Sequence, residues 1–288
     1  MIPNTKICCV VVTYYPQKNL LKSLDIYTKN FDKIYIIDNT PEFSEVLKLA
    51  QVKQKVVIKF NGYNAGIAKA LNLGFELALN NNYEWVVSFD QDSLPSNNLL
   101  SIFNQVFNSY PNKSLIGAIG LNASDKDNKK CYPTYNMTDY VVRDYLITSG
   151  CLISTSIYKE VGPFRDELFI DNVDLDYSLR IRRINKVLLI STKIGMIHKA
   201  GNSIKKSFSN LIIESSNHNP TRRYYMSRNN IILTKKYYLI FPYFIIKMNF
   251  FFIISLLKIM IVESDRKQKI KFFFKGFYDG LTYNLPKQ

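Results

Sequence analysis

Short apolar runs and amphipathic stretches alternate along the first third of the chain. Residues 6–13 are almost continuously apolar, as a parallel strand covered on both faces requires, and Pro16 ends the run before an amphipathic helix over 19–27. A second apolar run, 33–37, stops at Asp38-Asn39-Thr40-Pro41. A helix through Val46 and Leu49 then leads to a third run, 55–60. This order predicts a βαβαβ half-sheet, a scaffold that presents nucleotides at the carboxyl ends of its strands. A fourth strand within 83–93 ends in Asp90-Gln91-Asp92. Two carboxylates spaced i, i+2 at a strand end are hard oxygen ligands suited to Mg²⁺ or Mn²⁺, although an Asx turn with a solvated acidic pair gives the same pattern.

Between the third and fourth strands, Asn61-Gly62-Tyr63-Asn64-Ala65-Gly66 opens a helix with small residues on one face and Lys69 in its first turn. Glycines there let backbone N–H groups and the helix N-terminus approach an anion, and plain turn chemistry explains them equally well. Further on, the pattern predicts a helix from Pro95 to about 108, a strand at 115–121, and a long polar loop over 122–139 placed to gate a site. A strand pair follows over 145–154, where Thr148-Ser149-Gly150-Cys151 either floor a pocket or pack tightly.

Asp171, Asp174 and Asp176 sit where a helix begins, and Arg180, Arg182 and Arg183 where it ends. Capping and helix-dipole placement account for that order, and a general base at the helix start is the functional reading. His198 follows a strand expected at 187–190. Taken alone it reads as a core imidazole, with metal ligation as the alternative. Arg222 to Arg228 open a basic helix that meets phosphate or water.

From 237 to 262 the chain is very apolar, but Pro242, Lys247, Asn249 and Lys258 interrupt it, so no clean span is expected. With Arg266, Lys267, Lys269, Lys271 and Lys275 among the phenylalanines that follow, it reads as a basic aromatic element on an anionic membrane, or as a hairpin packed on the core or on a second copy of the chain. The formal net charge of +15 calls for an anionic partner. No nucleic-acid motif accompanies it, so nucleic acid is set aside. Cys8, Cys9, Cys131 and Cys151 have no metal-finger or CxxC spacing and read as reduced thiols of a cytosolic protein. The first apolar run reads as a core strand, not a signal peptide.

Seven motifs, in this order, carry a resemblance: Val11-Val12-Thr13-Tyr14, Ile37-Asp38-Asn39, Asn64-Ala65-Gly66-Ile67-Ala68, Phe89-Asp90-Gln91-Asp92-Ser93, Phe169-Ile170-Asp171-Asn172-Val173-Asp174, His198, and Arg223-Tyr224-Tyr225-Met226-Ser227-Arg228-Asn229. Together they resemble the family 2 inverting glycosyltransferases, most closely the rhamnosyltransferase branch, over roughly residues 6–238. The resemblance implies an α/β chain with the GT-A fold, a Rossmann-like, mostly parallel mixed sheet flanked by helices. It divides the chain into a catalytic domain at 1–235, with a nucleotide-sugar half at 1–92 and an acceptor half at 93–235, and a helical membrane-associating extension at 236–288.

By the same resemblance Thr13 and Tyr14 border the base and Asp38 recognises the pyrimidine. Asn64, Gly66 and Gln91 line the donor, Asp90 lies near the ribose, and Asp92, Asp90 and His198 hold Mg²⁺ or Mn²⁺. Lys69 or Arg228 meets the diphosphate. Asp174 is the base, with Asp171 a rival because Val173 stands where many relatives have Glu. The implied activity moves L-rhamnose from dTDP-L-rhamnose to a lipid-linked saccharide acceptor on the inner face of a bacterial plasma membrane. A UDP-sugar donor (galactofuranose, galactose or glucose) and a non-catalytic, polyanion-binding protein are the alternatives.

Overall fold

The computed structural model of the protein describes residues 6–124, 138–198, 204–208, 211–284 and 286. Most of the polar loop expected at 122–139, and Cys131 with it, lies outside those residues. The chain divides into two compact units, one of residues 1–169 and 173–199, the other of 170–172 and 200–288.

In the first unit β1 (Ile7–Thr13), β2 (Lys33–Asp38), β3 (Val56–Phe60) and β4 (Trp85–Asp90) are parallel, in the order β3-β2-β1-β4. The crossovers are α1 (Asn19–Asn30), α2 (Glu45–Gln51) and α3 (Ile67–Asn80). Continuous apolar runs form the inner strands because helices cover both faces: Cys8, Cys9, Val10 and Val11 of β1 are wholly buried, as are Ile34, Ile36 and Ile37 of β2. On one side Tyr27 of α1 and Phe31 just past its end pack with Phe89 of β4 and Phe103 of α4 (Leu99–Ser109) in the main core.

The sheet continues through β8 (Cys151–Ser154), antiparallel to both β4 and β6 (Ile116–Ser124), then to β9 (Val187–Ile197), the short β5 (Leu94–Pro95) and, off the main path, β7 (Tyr140–Arg143). It is a mixed sheet of nine strands among the described residues, flanked by helices that include α5 (Thr155–Val161) and α6 (Val173–Arg183). Two elements depart from the sequence pattern. Residues 145–150 are not half of a strand pair: β7 pairs with β9, and 148–150 form a turn in which Gly150 donates to the Ser88 carbonyl at 2.8 Å. Strand β9 runs past residue 190 to Ile197, through a local kink where Ser191 Oγ bonds both the amide and the carbonyl of Lys193. That extension carries His198 to the carboxyl edge of the sheet.

The second unit holds the hairpin of β10 (Ile204–Phe208) and β11 (Leu211–Ser215), with α7 (Pro220–Tyr237), α8 (Pro242–Ile261) and α9 (Arg266–Thr282). Helix α7 begins with Pro220 in its first turn and Asn219 capping the Arg222 amide. Helices α7 and α9 approach closely at Gly276 and Gly280: a Cβ at Gly276 would stand 2.2 Å from the Tyr224 carbonyl oxygen. Helix α7 packs on α9, so the second compact unit takes in residues 200–288, whereas the resemblance implies a functional division at 235/236.

Buried inside this unit, Glu263 accepts from Arg223, Ser215 and Lys269. Burial pushes the Glu263 carboxyl up, and those hydrogen bonds and cations more than offset it, leaving it below its ordinary value. The interruptions expected to break the apolar tail do not. Pro242 takes the first turn of α8, and Lys247, Asn249 and Lys258 lie inside one continuous helix.

Candidate active site

The site forms where β1, β2, β4 and β9 of the first unit end. At β2, the Asp38 carboxylate is fully buried. It accepts from Thr13 Oγ1 at 2.6 Å, from Thr40 Oγ1 at 3.0 Å and from the Thr40 amide at 3.1 Å. Asp38 thus ties the ends of β1 and β2 together, and Thr40 in turn receives the Tyr15 amide at 2.8 Å. Next to it Asn39 donates to the Gly66 carbonyl at 3.1 Å and accepts from Asn61 at 2.9 Å, which fixes the turn before α3.

Gly66 caps α3 at φ 85°, and a Cβ there would meet Phe169 at 2.6 Å, so the residue must be glycine on two counts. Asn64 Oδ1 accepts the Gly66 amide at 3.0 Å in an Asx turn, and Lys69 is exposed one turn into the helix. On the other side of β1, Gln91 forms a two-way clasp with the Tyr14 backbone, accepting its amide at 2.8 Å and donating to its carbonyl at 3.0 Å. Exposed Tyr14 and Tyr15 pack edge to face beside it.

Asp90, Asp92 and His198 converge, with one ligand atom from each lying within 4.8 Å of the others. Asp92 is exposed, Asp90 half-buried, and His198 Nδ1 lies 4.0 Å from Asp92 Oδ1. Two carboxylates and an imidazole suit a divalent ion that keeps open positions for phosphate oxygens, which is the chemistry of Mg²⁺ or Mn²⁺. The imidazole is held from behind: Ser93 Oγ bonds His198 Nδ1 at 2.8 Å and Ser149 Oγ at 2.7 Å, and Ser149 Oγ accepts the Asp90 amide at 3.1 Å. The His198 amide donates to the Ser124 carbonyl at the end of β6. This relay fixes the ring beside the two carboxylates, with the donor and acceptor roles of Ser93 and Nδ1 set by the imidazole tautomer. Neither serine's role was legible, because each depends on a residue more than 50 positions away.

Asp174 stands in the first turn of α6, half-buried, and its Oδ1 accepts the Leu175 amide at 2.9 Å. Burial, followed by the Asp174 charge, pushes the neighbouring Cys151 thiol up to about 12, so that cysteine stays a neutral wall. Asp176, the third acid of the motif, is wholly buried and paired with Arg165 and Arg180. Asp171 belongs to the second unit. Arg222 forks onto its carboxylate with contacts of 3.0 to 3.1 Å. Asn229, also buried, donates to the carbonyls of Ile170 and Asp171, both at 2.8 Å. Arg228 sits among the rings of Tyr224, Tyr225 and Tyr283 at 4.8 to 5.8 Å and bonds the Asn229 side chain.

Comparison with known proteins gives three findings. The Glycosyl transferase family 2 profile matches residues 8–160. A dTDP-rhamnosyl transferase of Shigella flexneri, RfbF, is 30% identical over 235 residues, covering 76% of each chain. Among solved structures, S. aureus TarS 1–349 in complex with UDP-GlcNAc aligns with 94% of this chain and 81% of its own at a TM-score of 0.61 and 13% identity. GalNAc-T7 with UDP, GalNAc and Mn²⁺ aligns with 80% of this chain at 0.58 and 14%. The chain spans 44% of the longer TarS chain and 48% of GalNAc-T7, and these two likenesses speak to the fold.

Proposed function

Because the chain belongs to glycosyl transferase family 2 and is a glycosyltransferase, we propose that it transfers L-rhamnose from dTDP-L-rhamnose, with inversion, to a lipid-linked saccharide during surface polysaccharide assembly. The observation that carries the donor assignment is the 30% identity with a dTDP-rhamnosyl transferase across three quarters of both chains. A nucleotide-sugar partner agrees with the family, and membership in it displaces the non-catalytic reading.

In this reading Thr13, Tyr14 and Gln91 frame the base end of the donor. Asp38 acts by setting the loop of Thr13 and Thr40 against it, since its own oxygens are already engaged. Asn64 and Gly66 set the turn whose amides face phosphate, and Asp90 lies by the ribose. Asp90, Asp92 and His198 would hold Mg²⁺ or Mn²⁺. When bound, such an ion supplies Lewis-acid stabilisation to the diphosphate.

Asp174 accepts the proton of the acceptor hydroxyl as its oxygen bonds to the anomeric carbon. The bond from that carbon to the diphosphate oxygen breaks on the opposite face. Lys69, exposed in the first turn of α3, or Arg228 would supply positive charge to the leaving group. The chain works on the inner face of the plasma membrane, where lipid-linked acceptors and an anionic surface meet its basic tail.

The test is transfer of labelled rhamnose from dTDP-rhamnose into a bacterial lipid extract, with UDP-galactose, UDP-glucose and UDP-galactofuranose as competitors. Incorporation from a UDP-sugar alone would reassign the donor.

A further inference from the structure

Helix α8 is twenty residues long, about 30 Å, and apolar enough by length and composition to cross a membrane, yet only 11% of its apolar window is buried. A helix that is apolar all round and left uncovered needs a non-aqueous neighbour. Its two faces differ. The inward one is committed to its own unit: Ile245 and Ile259 are buried, Asn249 exchanges hydrogen bonds with Asn230 and Thr234 of α7, and Ser255 accepts from the buried Arg223. The outward one exposes Tyr243, Ile246, Phe250, Ile253, Leu257 and Met260, at intervals of three and four residues, with Phe251 and Ile261 widening the stripe. Around it the chain is basic, with nine Lys or Arg against two acids between residues 235 and 275. Lys267, Lys271 and Lys275 are exposed on α9 together with Phe274 and Tyr278.

We propose that α8 lies in the plane of an anionic lipid surface, with its outward stripe among the acyl chains and its inward face on α7, and does not thread the bilayer. Threading would pull Asn249 away from Asn230 and Thr234, and Ser255 away from Arg223 of the buried Arg223–Glu263–Lys269 cluster, and leave polar groups bare in hydrocarbon. A second copy is the rival occupant, because three-four spacing also makes a helix seam. Two such basic segments would repel, however, and the exposed stripe is wider than a seam. Anionic headgroups match the charge. This inference deepens the proposed membrane association, and donor binding is measured separately so that each reading can fail alone.

The experiment uses the full chain and vesicles of phosphatidylcholine with or without phosphatidylglycerol. Flotation should require the anionic lipid and weaken with salt. Ile246→Glu combined with Ile253→Glu should cut bound protein by about tenfold or more, while the far-ultraviolet circular dichroism spectrum and the melting temperature, which check that the variant is folded, stay unchanged. Environment-sensitive labels at Ile246→Cys, Ile253→Cys and Met260→Cys, in a Cys131→Ser background, should then report one common depth in the bilayer. Graded depths would make α8 a span and overturn the proposal. So would flotation that the double substitution leaves intact, failure of the folded chain to float, or a dimer that the double substitution dissociates.

Discussion

The two rival bases of the acidic motif can be separated by paired substitutions. Asp171 offers its carboxylate to the Arg222 fork, with both oxygens engaged at 3.0 to 3.1 Å, and its backbone is held in the left-handed region at φ 62° beside Asn172 at φ 61°. A carboxylate whose lone pairs already face a guanidinium is poorly placed to receive a proton from an acceptor. Asp171→Asn keeps the side-chain shape and tolerates positive φ, so it removes the charge and one accepting oxygen of the fork. The Arg222 side chain is 41% exposed, so after solvent screening the loss is on the order of 1 kcal/mol, a fall of about 2 °C in melting temperature.

Asp174→Asn removes the proposed base and should lower kcat by about 10² to 10⁴, which is about 3 to 5 kcal/mol of transition-state stabilisation, with donor KM little changed. The assay is rhamnose transfer under saturating donor, beside a thermal melt of each protein. If Asp171→Asn abolished turnover while Asp174→Asn spared it, the assignment would be reversed.

Ser93→Ala frees the His198 ring from its 2.8 Å restraint and should weaken metal affinity by roughly tenfold, read by Mn²⁺ titration. Gly276→Ala forces a methyl toward the Tyr224 carbonyl and should cost about 1 to 3 kcal/mol of stability, visible as a lower melting temperature. His218 is held down to about 4 by burial and by the Arg222 and Arg223 cations, below its ordinary 6.5. The unfolded chain therefore binds the extra proton between pH 6.5 and 4. Stability should be full above pH 6.5 and fall by on the order of 1 to 2 kcal/mol as the pH drops to 4, after allowing for its partial exposure. His218→Gln should flatten that slope in denaturant melts recorded at each pH.

The parallel half of the sheet was legible because a strand covered on both faces must be apolar throughout, as β1 and β2 are. The placement of Asp90 and Asp92 at the end of β4 and of the Asn64–Gly66 turn before α3 was legible because polar groups and glycines that end an apolar run mark where a strand gives way to a turn. The extension of β9 was not, since Lys193 and Gly195 break its apolar run while β6 and β7 still supply hydrogen-bonding edges. The β10–β11 hairpin was hidden by Lys205 and Lys206, which no alternation rule places in a strand. The bonds that Asp38 accepts from Thr13 and Thr40, and its burial, were not legible. That outcome depends on the Thr13 hydroxyl at the end of β1, which only the fold brings to Asp38, together with Thr40 two residues on.

The central claim is a metal-assisted transferase that takes a thymidine-diphosphate sugar. Calorimetric titration of dTDP, UDP and GDP, with and without Mg²⁺ or Mn²⁺, on the native protein and on Asp92→Asn, addresses it directly. The account predicts dTDP binding that requires the metal and is lost in Asp92→Asn. Binding of dTDP that is indifferent to both the metal and the substitution would contradict it.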